Sequence, residues 1–220
     1  MVDAWLDPSS ASPRIVLFAD FSRQALYASP AGTREVLRQR LRPANFGLRR
    51  NCRNTLKISA ETELLTGSFD IRACERQPPG EPVERFFFTD AHDEVRQIGR
   101  ALQRLRSEGF APSDIIILGS RRREKTALAG VTSCGGFRIV DREASRSGAE
   151  VVYATVHAFK GLESPAVVLM DCQPGTDALG DALLYVGMTR ARVRLAMILP
   201  EAARDEIAAR EQRNLEIQLG

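Results

Sequence analysis

The sequence predicts an α/β fold of three layers, a mostly parallel sheet with helices packed on both faces. Two observations carry that expectation. From residue 83 onward, apolar runs of strand length alternate with polar or amphipathic spacers, as strand–crossover–strand units require. Within that series Asp114–Leu118 (DIIIL) is apolar without alternation, the pattern of a strand covered on both sides.

In chain order, Arg14–Ala19 (RIVLFA) reads as a short buried strand after a Ser/Pro-rich start. Residues 34–57 hold eight cations against one acid, Glu35, and form either a nucleic-acid contact or a solvated helix face. Residues 59–82, with Gly67, Pro78, Pro79, Gly80 and Pro82, read mainly as a connecting segment. Val83–Phe88 (VERFFF) is expected as a strand. In Asp93–Gly109, Val95, Ile98, Leu102 and Leu105 share one helical face, and Gly109 ends the helix. Further strands are expected at Phe137–Val140, Val151–Val156, Ala166–Asp171 and Val193–Leu199, and Glu201–Gln218 reads as a polar helix. Neither an internal repeat nor a heptad run occurs.

At 220 residues, 44% hydrophobic and 27% charged, the chain has the composition of a soluble globular protein with a real core. It lacks an apolar run long enough to span a membrane. Met1–Asp7 has neither a basic nor an apolar region of the kind a secretory signal needs. Cys52, Cys74, Cys134 and Cys172 lie far apart and form no CxxC pair, so no metal site is expected and a reducing cytoplasmic setting fits. The net charge of +3 does not prove a nucleic-acid partner. Lys57, Lys125 and Lys160 are the only lysines among 31 cations. Such arginine enrichment has two sources, bidentate phosphate recognition or a GC-rich genome.

Gly119–Thr126 (GSRRREKT) follows a predicted strand and has the spacing of a phosphate-binding P-loop, except that Glu124 stands where the second glycine belongs. A carboxylate there repels phosphate and blocks the close backbone approach, so the Walker A motif is absent. Two other segments do carry a signal. Thr155-Val-His157-Ala-Phe-Lys160-Gly161-Leu-Glu163 follows one strand, and Tyr185-Val-Gly187-Met-Thr189-Arg190-Ala-Arg192 leads into another. Singly, His157, Lys160 or Arg190 would be ordinary structural or surface residues. In this order, with Glu163 and Thr189 26 positions apart, they are not.

HAFKGLE resembles motif V, and YVGMTRAR motif VI, of superfamily 1 helicases of the UvrD/Rep type. Phe18–Tyr27 (FADFSRQALY) is similar to motif III, with Asp20 and Gln24 spaced further apart than usual. Leu48–Thr55 (LRRNCRNT) is similar to motif IV, with Cys52 where the family often has a base-stacking tyrosine. The resemblance implies a RecA-like (P-loop NTPase-like) fold. Residues 1–58 would hold the end of a first RecA-like domain and the motif IV segment, 59–82 the connection, 83–200 the second RecA-like domain, and 201–220 a C-terminal helix.

By the same resemblance Gln24, Arg53 and Arg190 would face the γ-phosphate of ATP, and Glu163, Gly161 and Arg192 would line the nucleotide. Thr155, His157 and Lys160 would line a single-stranded DNA track. ATP and magnesium would require an N-terminal helicase domain, in the same or a separate chain, that supplies the P-loop. The implied protein is the C-terminal portion of an ATP-dependent, 3′-to-5′ DNA helicase or translocase that hydrolyses no ATP by itself. The alternative is a non-catalytic RecA-like module that binds nucleic acid or protein. An RNA helicase fits less well, because such enzymes usually place Gln rather than Lys before the motif V glycine.

Overall fold

A computed structural model describes residues 35, 39, 50–68, 72–73, 76–142, 144, 148–174 and 177–219. The expected strand Arg14–Ala19, and Gln24 with the rest of the motif III-like segment, lie outside the described residues. Strand β1 (Arg50–Asn51) pairs in parallel with β2 (Arg72–Ala73), and helix α1 (Leu56–Thr66) lies between them in sequence. There follow β3 (Glu84–Phe88), α2 (Ala91–Ser107), β4 (Ile115–Gly119), β5 (Ser133–Cys134), β6 (Phe137–Asp141), β7 (Glu150–Thr155), β8 (Ser164–Leu169), α3 (Ala178–Met188), β9 (Ala191–Pro200) and α4 (Arg204–Leu219). The strands β3 to β9 form one seven-stranded sheet in the order β3-β9-β8-β4-β7-β6-β5. Every pair in it is parallel except the edge hairpin β5–β6. This is the expected α/β RecA-like architecture.

The central strand shows why the sheet forms. Ile115 to Leu118 are buried on both sides, and period-two alternation sends Ile115 and Ile117 to one face and Ile116 and Leu118 to the other. The first face is covered by α2 through Ile98, Ala101, Leu102 and Leu105. Its start is capped by the Asp90 carboxylate, which accepts from the Asp93 amide at 2.8 Å. Ile58 and Leu65 of α1, Leu184 of α3 and Ile207 of α4 cover the second face.

Helix α1 departs from the expectation for 59–82. Residues up to Thr66 are helical, and β2 follows them. Ile58, Thr62 and Leu65 are buried at helical spacing, but small and β-branched polar residues dilute the apolar stripe and hide it in the sequence. The threonine hydroxyls satisfy themselves locally, Thr62 donating to the Ile58 carbonyl at 2.7 Å. The orphan carbonyls at the helix end are taken from outside: Arg210 donates to Leu65 O at 3.3 Å and Asn214 to Leu64 O at 2.6 Å, both from α4.

The Gly119 segment folds in agreement with the rejected P-loop. Instead of opening a helix, β4 runs into a single 3-10 turn at Arg123–Lys125. A Cβ on Gly119 would lie 2.2 Å from the Tyr153 hydroxyl, so this glycine makes room for a tyrosine rather than for phosphate. That hydroxyl donates to the Arg121 carbonyl at 2.5 Å, and Arg121 pairs with Asp171 at 2.6 Å. Among the described residues no helix is long and apolar enough to cross a membrane.

Beside that pair, Glu94 of α2 is 6% exposed, and its Oε1 is buried without a hydrogen-bond partner. Burial, with repulsion from Asp171, pushes its carboxyl up to about 7, Arg121 offsetting part of the rise. The folded chain therefore holds a proton that the unfolded chain releases above the ordinary 4.5. Its contribution to stability is present below that value and is lost as pH rises through about 7. Glu94→Gln is expected to raise the Tm at pH 8 while leaving it nearly unchanged at pH 5. Equal shifts at both pH values would contradict this assignment.

Candidate functional site

Motif V begins at the C-terminal end of β7 and ends at the N-terminal start of β8, so residues 156–163 cross from one end of the parallel sheet to the other. The crossing is built from consecutive turns. Phe159 N donates to Thr155 O at 3.0 Å, Lys160 N to His157 O at 3.3 Å, and Leu162 N to Phe159 O at 3.1 Å. The Thr155 hydroxyl accepts from Ala158 N at 3.1 Å and closes the first turn, while Phe159 anchors the segment in the core. Gly161 has φ 86°, a left-handed conformation that swings the chain towards Glu163. Nothing lies within 4 Å of a Cβ built there, so backbone conformation, not crowding, demands the glycine. Thr155 and His157 thus sit towards the C-terminal end of the sheet, and Glu163 sits at the opposite end.

At that opposite end three of the residues expected to face the nucleotide, Arg53, Glu163 and Arg192, lie together. Glu163 Oε2 accepts from Arg53 Nε at 2.9 Å, and its Oε1 lies 3.4 Å from Arg192 Nε. All three side chains are between 40% and 55% exposed, so a ligand can reach them. Arg53 comes from the turn before α1, Glu163 from the end of motif V, and Arg192 from the start of β9.

Arg190 lies behind this group and is only 1% exposed. Its Nε donates to Val186 O at 2.9 Å, Nη1 to Leu162 O at 3.2 Å and Nη2 to Thr189 Oγ1 at 3.1 Å. Burial, joined by repulsion from Arg53, brings its pKa down to about 10, with Tyr185 and Glu163 opposing. No carboxylate among the described residues forms a salt bridge with it. A buried guanidinium held only by neutral acceptors has a standing electrostatic preference for an anion.

Chemically, three guanidiniums around one carboxylate leave a cationic excess suited to a polyphosphate, and Glu163 can accept from a hydroxyl. The donor set therefore fits the phosphate chain of a nucleotide. It does not fit a divalent cation, and no group of three His, Cys, Asp or Glu residues among the described residues could hold one. The Leu162 carbonyl is a participant that sequence reading had no means to find, because its role belongs to the backbone rather than to the residue type. It bonds the motif V turn directly to Arg190.

Residues 150–198 match the family model of the UvrD-like helicase C-terminal domain. A search of curated proteins gives no match. Among solved structures, the chain is similar to the C-terminal domain of a possible DNA helicase from Lactobacillus plantarum WCFS1. Identity is 22%, coverage is 67% of this chain and 86% of that one, and the TM-score of 0.54 speaks for a shared fold. Arterivirus nonstructural protein 10, a helicase, matches at 13% identity over 74% of this chain and 27% of that one, with a TM-score of 0.32. By the family model, residues 150–198, from the start of β7 to near the end of β9, carry the signature of a UvrD-like helicase C-terminal domain, and they lie in the α/β sheet described above.

Proposed function

We propose that this chain is the second motor domain of an ATP-dependent DNA helicase or translocase, gripping ATP against a P-loop-bearing N-terminal half. The observation that supports this reading best is the meeting of Arg53, Arg192 and Glu163 beside a buried Arg190 in the helicase-like region. Transfer of a phosphoryl group needs positive charge on the oxygens of the group in flight, and Arg53 and Arg190 supply it from this side of the cleft. Glu163 releases Arg53 to the phosphates and accepts a hydrogen bond from the nucleotide ribose. Gln24 senses the γ-phosphate, and magnesium is held by the other half.

Thr155, His157 and Lys160 line the single-stranded DNA, with movement in the 3′-to-5′ direction. The crossing segment 156–163 then ties strand movement to cleft closure, because its Leu162 carbonyl holds Arg190. One observation favours the second reading, a non-catalytic binding module: Arg190 is folded inward rather than displayed.

ATP hydrolysis distinguishes the two. The chain alone is expected to be inactive, and to give DNA-stimulated hydrolysis when joined to a P-loop-bearing half. Hydrolysis by the chain alone, or none after joining, would count against the motor reading. Lys160→Ala is expected to weaken single-strand binding and to reduce the slope of log affinity against log salt by about 0.7, the loss of one phosphate contact. An unchanged slope removes Lys160 from the track.

A further inference from the structure

We propose that Asn54 is a positioning residue for Arg190, and that through it the turn carrying Arg53 and the turn carrying Arg190 move as one unit. Its catalytic consequence rests on the motor reading above; the structural coupling does not.

Asn54 is 2% exposed, yet its side chain is fully engaged. Its Nδ2 donates to the carbonyl of Thr189 at 3.3 Å and to that of Ala191 at 2.5 Å, the two carbonyls that flank Arg190. Both amide hydrogens are therefore spent on a segment about 135 residues away. The geometry explains why those carbonyls need a partner. Arg190 O points at β8, where it accepts from Ser164 N at 3.0 Å. Carbonyl direction alternates along β9, so Ala191 O at its start faces the other way, and Thr189 O, at the helical end of α3, is turned to the same amide. On that side β9 meets β3 only from Ala196 onward. Without Asn54 two buried acceptors would be left bare, a cost that is relieved by shifting the backbone around Arg190.

The other end of Asn54 is tied to the Arg53 turn. Asn51 Nδ2 donates to Asn54 Oδ1 at 2.7 Å and to Ser59 Oγ of α1 at 3.1 Å. Asn51 Oδ1 accepts from the backbone amide of Arg53 at 3.0 Å and of Asn54 at 3.3 Å. One continuous network thus runs from α1 through the turn that aims Arg53 to the backbone that aims Arg190. Such a network has discrete arrangements rather than a continuum, so displacement of one arginine is passed to the other.

The chain with 15N-labelled arginine tests the coupling directly. Arg190 Nε–H and Arg194 Nε–H are both donated to acceptors in buried surroundings, and both are expected to exchange slowly with water. Asn54→Ala is expected to speed exchange at Arg190 at least tenfold and to leave Arg194 unchanged. Equal acceleration at both, the mark of general loosening, or none at either, overturns the proposal.

The second arm uses the motor completed with its P-loop half. Asn54→Ala is expected to lower ATP turnover about tenfold in the otherwise unaltered protein, and less than twofold in an Arg190→Gln background. The same loss in both backgrounds means Asn54 does not act through Arg190. If Arg190→Gln alone leaves turnover unaltered, the motor reading of Arg190 fails, while the exchange result still decides whether the two turns are coupled. Should Asn54→Ala not fold, Asn54→Ser, which keeps a single donor, is expected to show the same selectivity with a smaller effect.

Discussion

Replacing Arg190 with glutamine or lysine is expected to lower the turnover of the complete motor by about a hundredfold or more, the usual scale for losing a charge that stabilises a transferring phosphoryl group. Glutamine is the better probe, since its amide can still donate to the Val186 or Leu162 carbonyl and spare those acceptors. Alanine is the worse one, because it would empty the space of a buried side chain and leave the Leu162 carbonyl without that donor, which confuses instability with chemistry. Lysine keeps the charge but loses the fork, so a comparable loss with lysine means geometry, not charge alone, is required. The measurement is steady-state hydrolysis with saturating single-stranded DNA, with circular dichroism to show that the fold is intact. A change of less than about threefold would exclude Arg190 as the residue that reaches the phosphate. Arg192, more than half exposed beside Glu163, would then be tested next.

The largest stability effect is expected at Arg194, which has no place in the proposed chemistry. It is 5% exposed on β9 and makes a two-pronged contact with Glu108, Nε at 2.6 Å and Nη2 at 2.7 Å. It also reaches Glu84 at 3.0 Å and the Pro82 carbonyl at 2.8 Å. One side chain thereby locks the end of α2, the approach to β3 and the start of β9. Removing one partner of a buried ion pair leaves the others desolvated and unpaired, which costs about 3–5 kcal/mol. The low end applies here, because Glu84 and Glu108 keep Arg104 at 3.1 and 3.0 Å. Arg194→Ala is thus expected to lower unfolding free energy in urea by about 3 kcal/mol. Arg104→Ala, on a side chain 57% exposed, should cost no more than about 1 kcal/mol. Equal effects of the two substitutions would mean burial is not what gives Arg194 its weight.

Much of the fold is legible in the residues because burial on two faces leaves a plain imprint. The run at 115–118, the apolar stripe of α2 and the strand starting near Val151 all sit within a residue or two of where composition and period place them. Helix α1 and helix α3 are not legible in the same way. In α1 the buried positions include Ser59 and Thr62, and their polarity masks the period. In α3 nearly every residue from Leu183 onward is buried, so there is no polar face to reveal one. The hairpin strand β5, two residues long, is too short to leave any pattern.

The candidate site divides along the same line. The strings HAFKGLE and YVGMTRAR identify which residues to examine, and composition with spacing excludes a P-loop at Gly119, since those properties belong to residue types in order along the chain. Only the tertiary structure decides that Arg53 and Arg192 share the carboxylate of Glu163, that Arg190 is folded inward, and that Asn54 grips the backbone on either side of it. Those contacts join side chains far apart in the sequence or fall on backbone carbonyls, and neither distance across a fold nor the direction of a carbonyl is written into a linear order of side chains.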